Sequence, residues 1–458
     1  MPKAHHALLI LGPAAVLLSA CGAGPALPPE QGYGANPTLP AAKKQALPVM
    51  KIAPAVRWAD GQTPDAAPGF IATALVRGLD HPRWLYVLPN GDVLIAETNA
   101  PPKPEDSKGL KGFIEKIIMG RAGATVPSAN RITLVRDADN DGTPEVRTVF
   151  LTGLNSPFGM ALVGDTLYVA DSDALLAFPY QAGQTRITAA PRKVADLPAG
   201  PINHHWTKNV IASPDGSKLY VTVGSNSNVG ENGMAAEERR AGILEIDPAT
   251  GASRVFASGL RNPNGMGWQP TSGALWTSVN ERDEIGNDLV PDYMTSVKDG
   301  GFYGWPYSYY GQHVDVRVSP QRPDLVAKAI KPDYALGAHT ASLGLTFYNA
   351  DAFPTRYKGG AFVGQHGSWN RNPPNGYRVA FVPFVGGMPS GEAEDFLTGF
   401  LDAKGQALGR PVGVTVDKSG ALLVADDVGN VVWRVASIAP PPGPLPRTAP
   451  ALTPMPTH

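Results

Sequence analysis

One cysteine stands in 458 residues, and that scarcity excludes a good deal. A lone Cys21 cannot make an internal disulfide, a thiolate zinc site or the Cys-x-x-Cys-His attachment of a c-type haem. Charge of one sign is also lacking. The 39 basic residues balance 40 acidic ones, which argues against nucleic acid as a partner. No Gly-rich nucleotide pattern follows a strand and opens a helix, and Ser368 has no Gly-x-Ser-x-Gly elbow around it. No long stretch of helical period runs through the body of the chain. The apolar run over residues 7–18 is too short to cross a bilayer as a helix.

That run has a use of its own. It follows the basic start Met-Pro-Lys-Ala-His-His and leads into Leu17-Leu18-Ser19-Ala20-Cys21-Gly22. A basic stretch, an apolar stretch and small residues before a cut describe a secretion signal. The Cys after Leu-Ser-Ala fits a bacterial lipobox, so residues 1–21 read as a lipoprotein signal peptide ending at a lipidated Cys21. A protein bound for an oxidising compartment also gains by carrying no spare thiol. The expected location is the periplasmic face of a bacterial membrane, and Gly22 resembles outer-membrane sorting. Residues 22–51 are rich in Pro, Ala and Gly and read as a disordered tether; residues 438–458 read as a Pro-rich disordered tail.

What the body has in abundance is turn formers, 51 Gly and 46 Pro, together with 43% hydrophobic residues. That combination points to many short strands. One pattern recurs. Asn155-Ser156-Pro157-Phe158-Gly159-Met160 leads into Leu167-Tyr168-Val169-Ala170-Asp171. Asn262-Pro263-Asn264-Gly265-Met266 leads into Leu275-Trp276-Thr277-Ser278-Val279-Asn280. Arg410-Pro411-Val412-Gly413-Val414 leads into Leu422-Leu423-Val424-Ala425-Asp426. His81-Pro82-Arg83-Trp84 and Ser213-Pro214-Asp215-Gly216 open two further copies. Each reads as loop, strand, tight turn and apolar strand, ending in a polar residue. Such repeats predict an all-β fold, a six-bladed β-propeller over residues 52–437. The loops between blades would converge on one face of a central channel.

Four stretches fall on that face. Asn203-His204-His205-Trp206-Thr207 precedes the Pro214-Asp215-Gly216 hairpin, and a histidine there can act as a general base. Gly259-Leu260-Arg261-Asn262-Pro263 offers a forked donor beside an amide, or simply a turn. Asn280-Glu281-Arg282-Asp283-Glu284-Ile285-Gly286-Asn287-Asp288 suits an oxygen-coordinated cation such as calcium, or is a solvated acidic loop. Gly300-Gly301-Phe302-Tyr303-Gly304-Trp305-Pro306 could lie flat against a planar ligand. Separately, Asp137-Ala138-Asp139-Asn140-Asp141-Gly142 has the alternating carboxylates and sixth-position Gly of a calcium loop, but Thr148 stands where an EF-hand has Glu.

Taken in order, these stretches resemble the glucose/sorbosone dehydrogenase family of soluble pyrroloquinoline-quinone (PQQ) sugar dehydrogenases, from about Gly69 to Val435. Asp288-Leu289-Val290-Pro291-Asp292-Tyr293 and His366-Gly367-Ser368-Trp369-Asn370-Arg371 are similar to its sorbosone dehydrogenase-like branch. The resemblance implies a quinoprotein that holds PQQ and Ca2+ in a cleft on the channel face. It implies His205 as base, Asp288 as the carboxylate that orients it, and Arg261 with Asn262 on the quinone. Asn280 falls where glucose-oxidising members carry Gln. Glu281 and Arg282 fall where backbone carbonyls hold calcium, Tyr303 flanks the site, and Arg371 and Arg410 match basic residues on the cofactor. Residues 336–342 have no aromatic where glucose-oxidising members place one; His339 stands there. The implied activity is oxidation of a sugar or sugar-derived aldehyde by hydride transfer, with electrons passing to a separate acceptor, a quinone or a cytochrome. Two rival readings remain: a calcium-dependent propeller hydrolase or lactonase, and a non-catalytic surface binding propeller.

Overall fold

The computed structural model describes residues 26–43, 51–102, 120, 123 and 125–438. The signal peptide with Cys21, and all of the tail beyond Ile438, lie outside the described residues.

Six sheets of four or five strands stand around a common axis, each antiparallel apart from one short edge strand. The inner strands are Pro82–Val87, Met160–Val163, Val210–Ala212, Asn262–Trp268, Ser342–Phe347 and Pro411–Val416. The sixth blade takes its outer strand, Phe70–Arg77, from the start of the fold; it pairs with the last strand, Val431–Ser437, and so closes the ring. Among the described residues helix is confined to single turns, such as Pro323–Val326. The expected six-bladed propeller is what forms.

The alternation expected of strands appears as six apolar clusters, one between each pair of adjacent blades. Leu94, Ile132, Phe158 and Val169 fill the space between the first and second. Leu75, Ile95, Leu423 and Val432 fill the space between the sixth and the first. Each sheet is thus buried on both faces, which is why its second strand reads as an unbroken apolar run.

The glycine of the recurring motif has a specific cause. Inner strands of neighbouring blades meet at close quarters near the axis. A Cβ on Gly159 would lie 2.2 Å from the backbone nitrogen of Val210 in the next blade. One on Gly265 would lie 2.4 Å from the nitrogen of Leu345, and one on Gly344 would lie 2.2 Å from the oxygen of Val412. Each inner strand begins at one end of the channel, here called the mouth, and the second strand returns to it. The loops between second and third strands therefore also gather at the mouth.

Residues 26–43 depart from the sequence reading as a loose tether. Tyr33–Gly34 adds a fifth strand to the fourth blade, against Leu336 and Ala335. Lys43 N donates to Ile285 O at 2.9 Å. Pro and Gly richness hid this, because the contacts are made by a few isolated residues.

Substituting Gly265→Ala forces Leu343 and Leu345 off the inner strand, an overpacking cost of about 1–3 kcal/mol. Thermal unfolding should show a lowered midpoint. The same change at Gly273, whose added Cβ would meet nothing within 4 Å but whose φ is +67°, isolates backbone strain as a control.

Candidate functional site at the channel mouth

His205 enters the mouth on the loop before the third blade's inner strand. Its Nδ1 lies 2.8 Å from the carbonyl oxygen of Ser225 and 3.0 Å from that residue's Oγ. A carbonyl only accepts, so Nδ1 carries a ring proton. Ser225 Oγ donates onward to Ser227 O at 2.7 Å and so turns a lone pair to the ring. The serine is itself braced, since Glu237 accepts from Asn226 N and from Ser227 Oγ. Gly224 is required here: a Cβ on it would sit 2.4 Å from Asn262 Oδ1 and 2.5 Å from His205 Cβ. Asn262 is thereby brought beside His205, and its Oδ1 is buried with no hydrogen-bond partner.

Arg261 reaches the mouth as expected, but its donors are spent on the chain. Nη1 donates to Glu281 O at 2.6 Å, Nη2 to Asn228 Oδ1 at 3.0 Å and Nε to Asn228 O at 3.2 Å. It clamps the acidic loop, Asn280 Oδ1 included at 3.2 Å. Glu281 turns its carboxylate onto Arg282 at 3.1 Å, and Arg282 runs inward to Asp315 and to the carbonyls of Pro306 and Ser308. The side chains of these two residues are thus spent within the fold.

Three assignments change. Asp288 accepts from Leu27 N at 3.0 Å and from Arg371 at 2.8 Å, so it fastens the N-terminal segment, while Ser225 orients His205. Arg371 is correspondingly paired, with further bonds to Asn287 O and Pro373 O, and is not a free cation for a cofactor. Tyr303 is buried in the outer part of its blade; its hydroxyl donates to Ser296 O at 2.7 Å, away from the mouth. Arg410 does sit at the mouth, stacked 4.8 Å from the Tyr377 ring, with its Nε buried and unpartnered. The Asp137, Asp139 and Asp141 carboxylates come together with Glu145, within 4.8 Å of one another. Their loop joins third and fourth strands, which places it at the opposite end of the channel.

Residues missed in the sequence complete the site. Asp283 accepts from His339 Nδ1 at 3.1 Å and from Asn370 at 2.7 Å, and lies 3.6 Å from Arg261. Burial pushes this carboxyl up, but His339 and Arg261 outweigh it and hold it at about 2. Burial pulls His339 down, and the Asp283 bond more than reverses that, leaving the imidazole raised. Asp292 ties Glu281 N, Thr340 Oγ1 and Ser342 N together, and burial pushes its carboxyl up to about 7. Across the mouth, Asp427 binds His366 at 3.0 Å and Arg83 at 2.8 Å, while Arg83 lies 5.8 Å over the Trp206 ring. A cavity of about 470 Å³ opens beside Asp427, lined also by Asp80, His81 and Arg131. The available signal was position: polar residues just after the second strands, such as Ser225 after Leu219–Val223 and Asp427 after Leu422–Asp426, fall at the mouth.

Residues 169–368 match the family described as Glucose / Sorbosone dehydrogenase, and residues 321–437 match a TrAA12-like family. The first of these matches takes in under half of the chain and agrees with the resemblance that its motifs carry. An uncharacterized protein of Borreliella burgdorferi is 28% identical over 292 residues, 62% of this chain and 76% of that one. A pyrroloquinoline quinone-dependent pyranose dehydrogenase of Coprinopsis cinerea is 24% identical over 363 residues, 70% of this chain but 44% of that longer protein. The PQQ domain of a Coprinopsis cinerea pyranose dehydrogenase, in its holo form, shares the fold. Its TM-score is 0.65 at 20% identity, over 84% of this chain and 100% of that one.

The His339–Asp283 pair sets a pH window. The raised His339 contributes stability that is full below its unfolded value and fades as pH rises through its folded one. The depressed Asp283 contributes stability that is full above its unfolded value and is lost as pH falls through about 2. Both are complete between about pH 4 and 6.5. Asp283→Asn should therefore lower the His339 titration midpoint, read from its ring protons by NMR, and cost most thermal stability within that window.

Proposed function

We propose that this protein is an exported PQQ- and calcium-dependent dehydrogenase that oxidises a sugar or sugar-derived aldehyde, with His205 as base. The observation that carries the reading is His205 itself. Its Nδ1 is held 2.8 Å from the carbonyl oxygen and 3.0 Å from the Oγ of Ser225, and the buried, unsatisfied Asn262 Oδ1 lies beside it.

The mouth suits a polyanionic quinone. The Nε atoms of Arg83 and Arg410 are buried without partners and can donate to its oxygens, Asn262 Oδ1 can accept from a ligand N–H, and His366 adds a part-exposed imidazole. These residues, rather than Arg371, would hold the cofactor. The carbonyls of Glu281 and Arg282 are the candidate ligands for calcium. Bound there, PQQ would supply a two-electron acceptor for the hydride. His205 Nε2 removes the substrate hydroxyl proton, and Ser225 accepts from Nδ1 throughout, keeping the ring aimed. Arg261 places a fixed positive charge behind the acidic loop, where developing negative charge is stabilised without reorganisation. A separate acceptor would take the electrons from the bound quinone, and the protein is held at the periplasmic face by acyl chains on Cys21.

Dye-linked turnover with a panel of aldoses and sugar aldehydes tests this. His205→Ala should lower kcat by about 10²–10⁴-fold while quinone binding persists. Ser225→Asp supplies an anion that favours the imidazolium, so the acid limb of the kcat/KM profile should move to higher pH. Turnover unaffected by His205→Ala would remove it as the base.

A further inference from the structure

We propose that the mouth of the propeller faces the lipid bilayer to which the chain is anchored. The inference rests on the reading of Cys21 as the lipidated residue, and the test below tells the two apart.

The N-terminal segment is fastened to the mouth from its first described residues. Leu27 N donates to the Asp288 carboxylate at 3.0 Å, and Leu27 O accepts from Arg371 at 3.5 Å. Both partners belong to loops of the mouth, between the second and third strands of the fourth and fifth blades. Further along, the Tyr33 hydroxyl donates to Asn375 at 3.4 Å, and the Arg378 guanidinium lies 5.1 Å from its ring. Lys43 N then returns to Ile285 O at 2.9 Å, on the same acidic loop. The segment is held at the mouth at both of its ends.

Chain length decides what this means. Six peptide steps separate Cys21 from Leu27. Fully extended they reach about 20 Å. An inner strand of six residues, Pro411–Val416, already spans about 20 Å along the channel, before loops at either end are added. The acyl chains therefore cannot be drawn to the far end of the propeller while Leu27 stays bound. The last strand, Val431–Ser437, runs from the mouth to that far end, so Ile438 lies on the side away from the membrane. A lipid-soluble electron acceptor would then meet the mouth without leaving the bilayer.

The test uses the full-length acylated protein in phosphatidylethanolamine/phosphatidylglycerol vesicles carrying nitroxide-labelled headgroups. With Cys21 acylated, a cysteine introduced elsewhere is the only free thiol for a fluorophore. Met234→Cys reports the mouth loop between second and third strands of the third blade, Val255→Cys its outer edge, and Val385→Cys the far end; all three side chains are exposed. Quenching should be at least twofold stronger at position 234 than at 255 or 385. Inserting ~20 Gly/Ser residues after Gly24 should abolish the difference, because such a linker reorients freely. Equal quenching, or stronger quenching at 255 or 385, overturns the orientation while leaving the anchor intact. If the wild-type protein instead takes up fluorophore at Cys21 and fails to float with vesicles, the lipid reading falls and the proposal with it.

Discussion

The close approach of neighbouring inner strands is the constraint on which the molecule rests. At Gly159, Gly265 and Gly344 the backbone of the next blade lies where a Cβ would be. That contact sets the spacing of the blades, and the spacing sets which loops meet at the mouth. The same device recurs inside the site. Gly224 lets His205 and Asn262 stand side by side, so the chemistry inherits its geometry from the packing rule that builds the ring.

Burial at the mouth is of two kinds. One part is a set of closed ionic networks that hold loops in place: Arg261 with the acidic loop, Arg282 with Glu281 and Asp315, and Arg371 with Asp288. Removing one partner of such a pair leaves a buried charge, so these groups are costly to change whatever their part in catalysis. The other part is open: Asn262 Oδ1 and the Nε atoms of Arg83 and Arg410. A ligand that brings acidic oxygens to the two arginines and an N–H to Asn262 Oδ1 complements the second set. The two kinds of residue look alike in a sequence, and only their partners tell them apart.

That distinction explains what could be read in advance. The propeller was legible because its blades repeat, down to the glycine after Pro-x that turned out to mark the inter-blade contact. His205 was singled out by its place before a Pro-Asp-Gly hairpin, and its ring is held by Ser225. Asp288 was assigned to the wrong partner because the loop carries several carboxylates within a few residues, and nothing local says which one turns inward. Asp283 and Asp292 point into the site, while Asp288 reaches Leu27, 261 residues away in sequence. Ser225 was passed over because a serine carries no charge to draw notice. Its role comes from a carbonyl and a hydroxyl presented together by a braced turn. The ordering of residues 26–43 was equally hidden, since a single tyrosine and a few backbone bonds fasten them.

The most direct test of the central claim is a titration of the purified folded body, residues 26–438, with PQQ in the presence and absence of calcium, following the quinone absorbance. The account predicts saturable one-to-one binding that calcium strengthens, weakened when Asn262 or Arg83 is replaced by alanine and unchanged by Tyr303→Phe. Absence of binding at any calcium concentration would contradict it and would leave a family fold serving some other ligand.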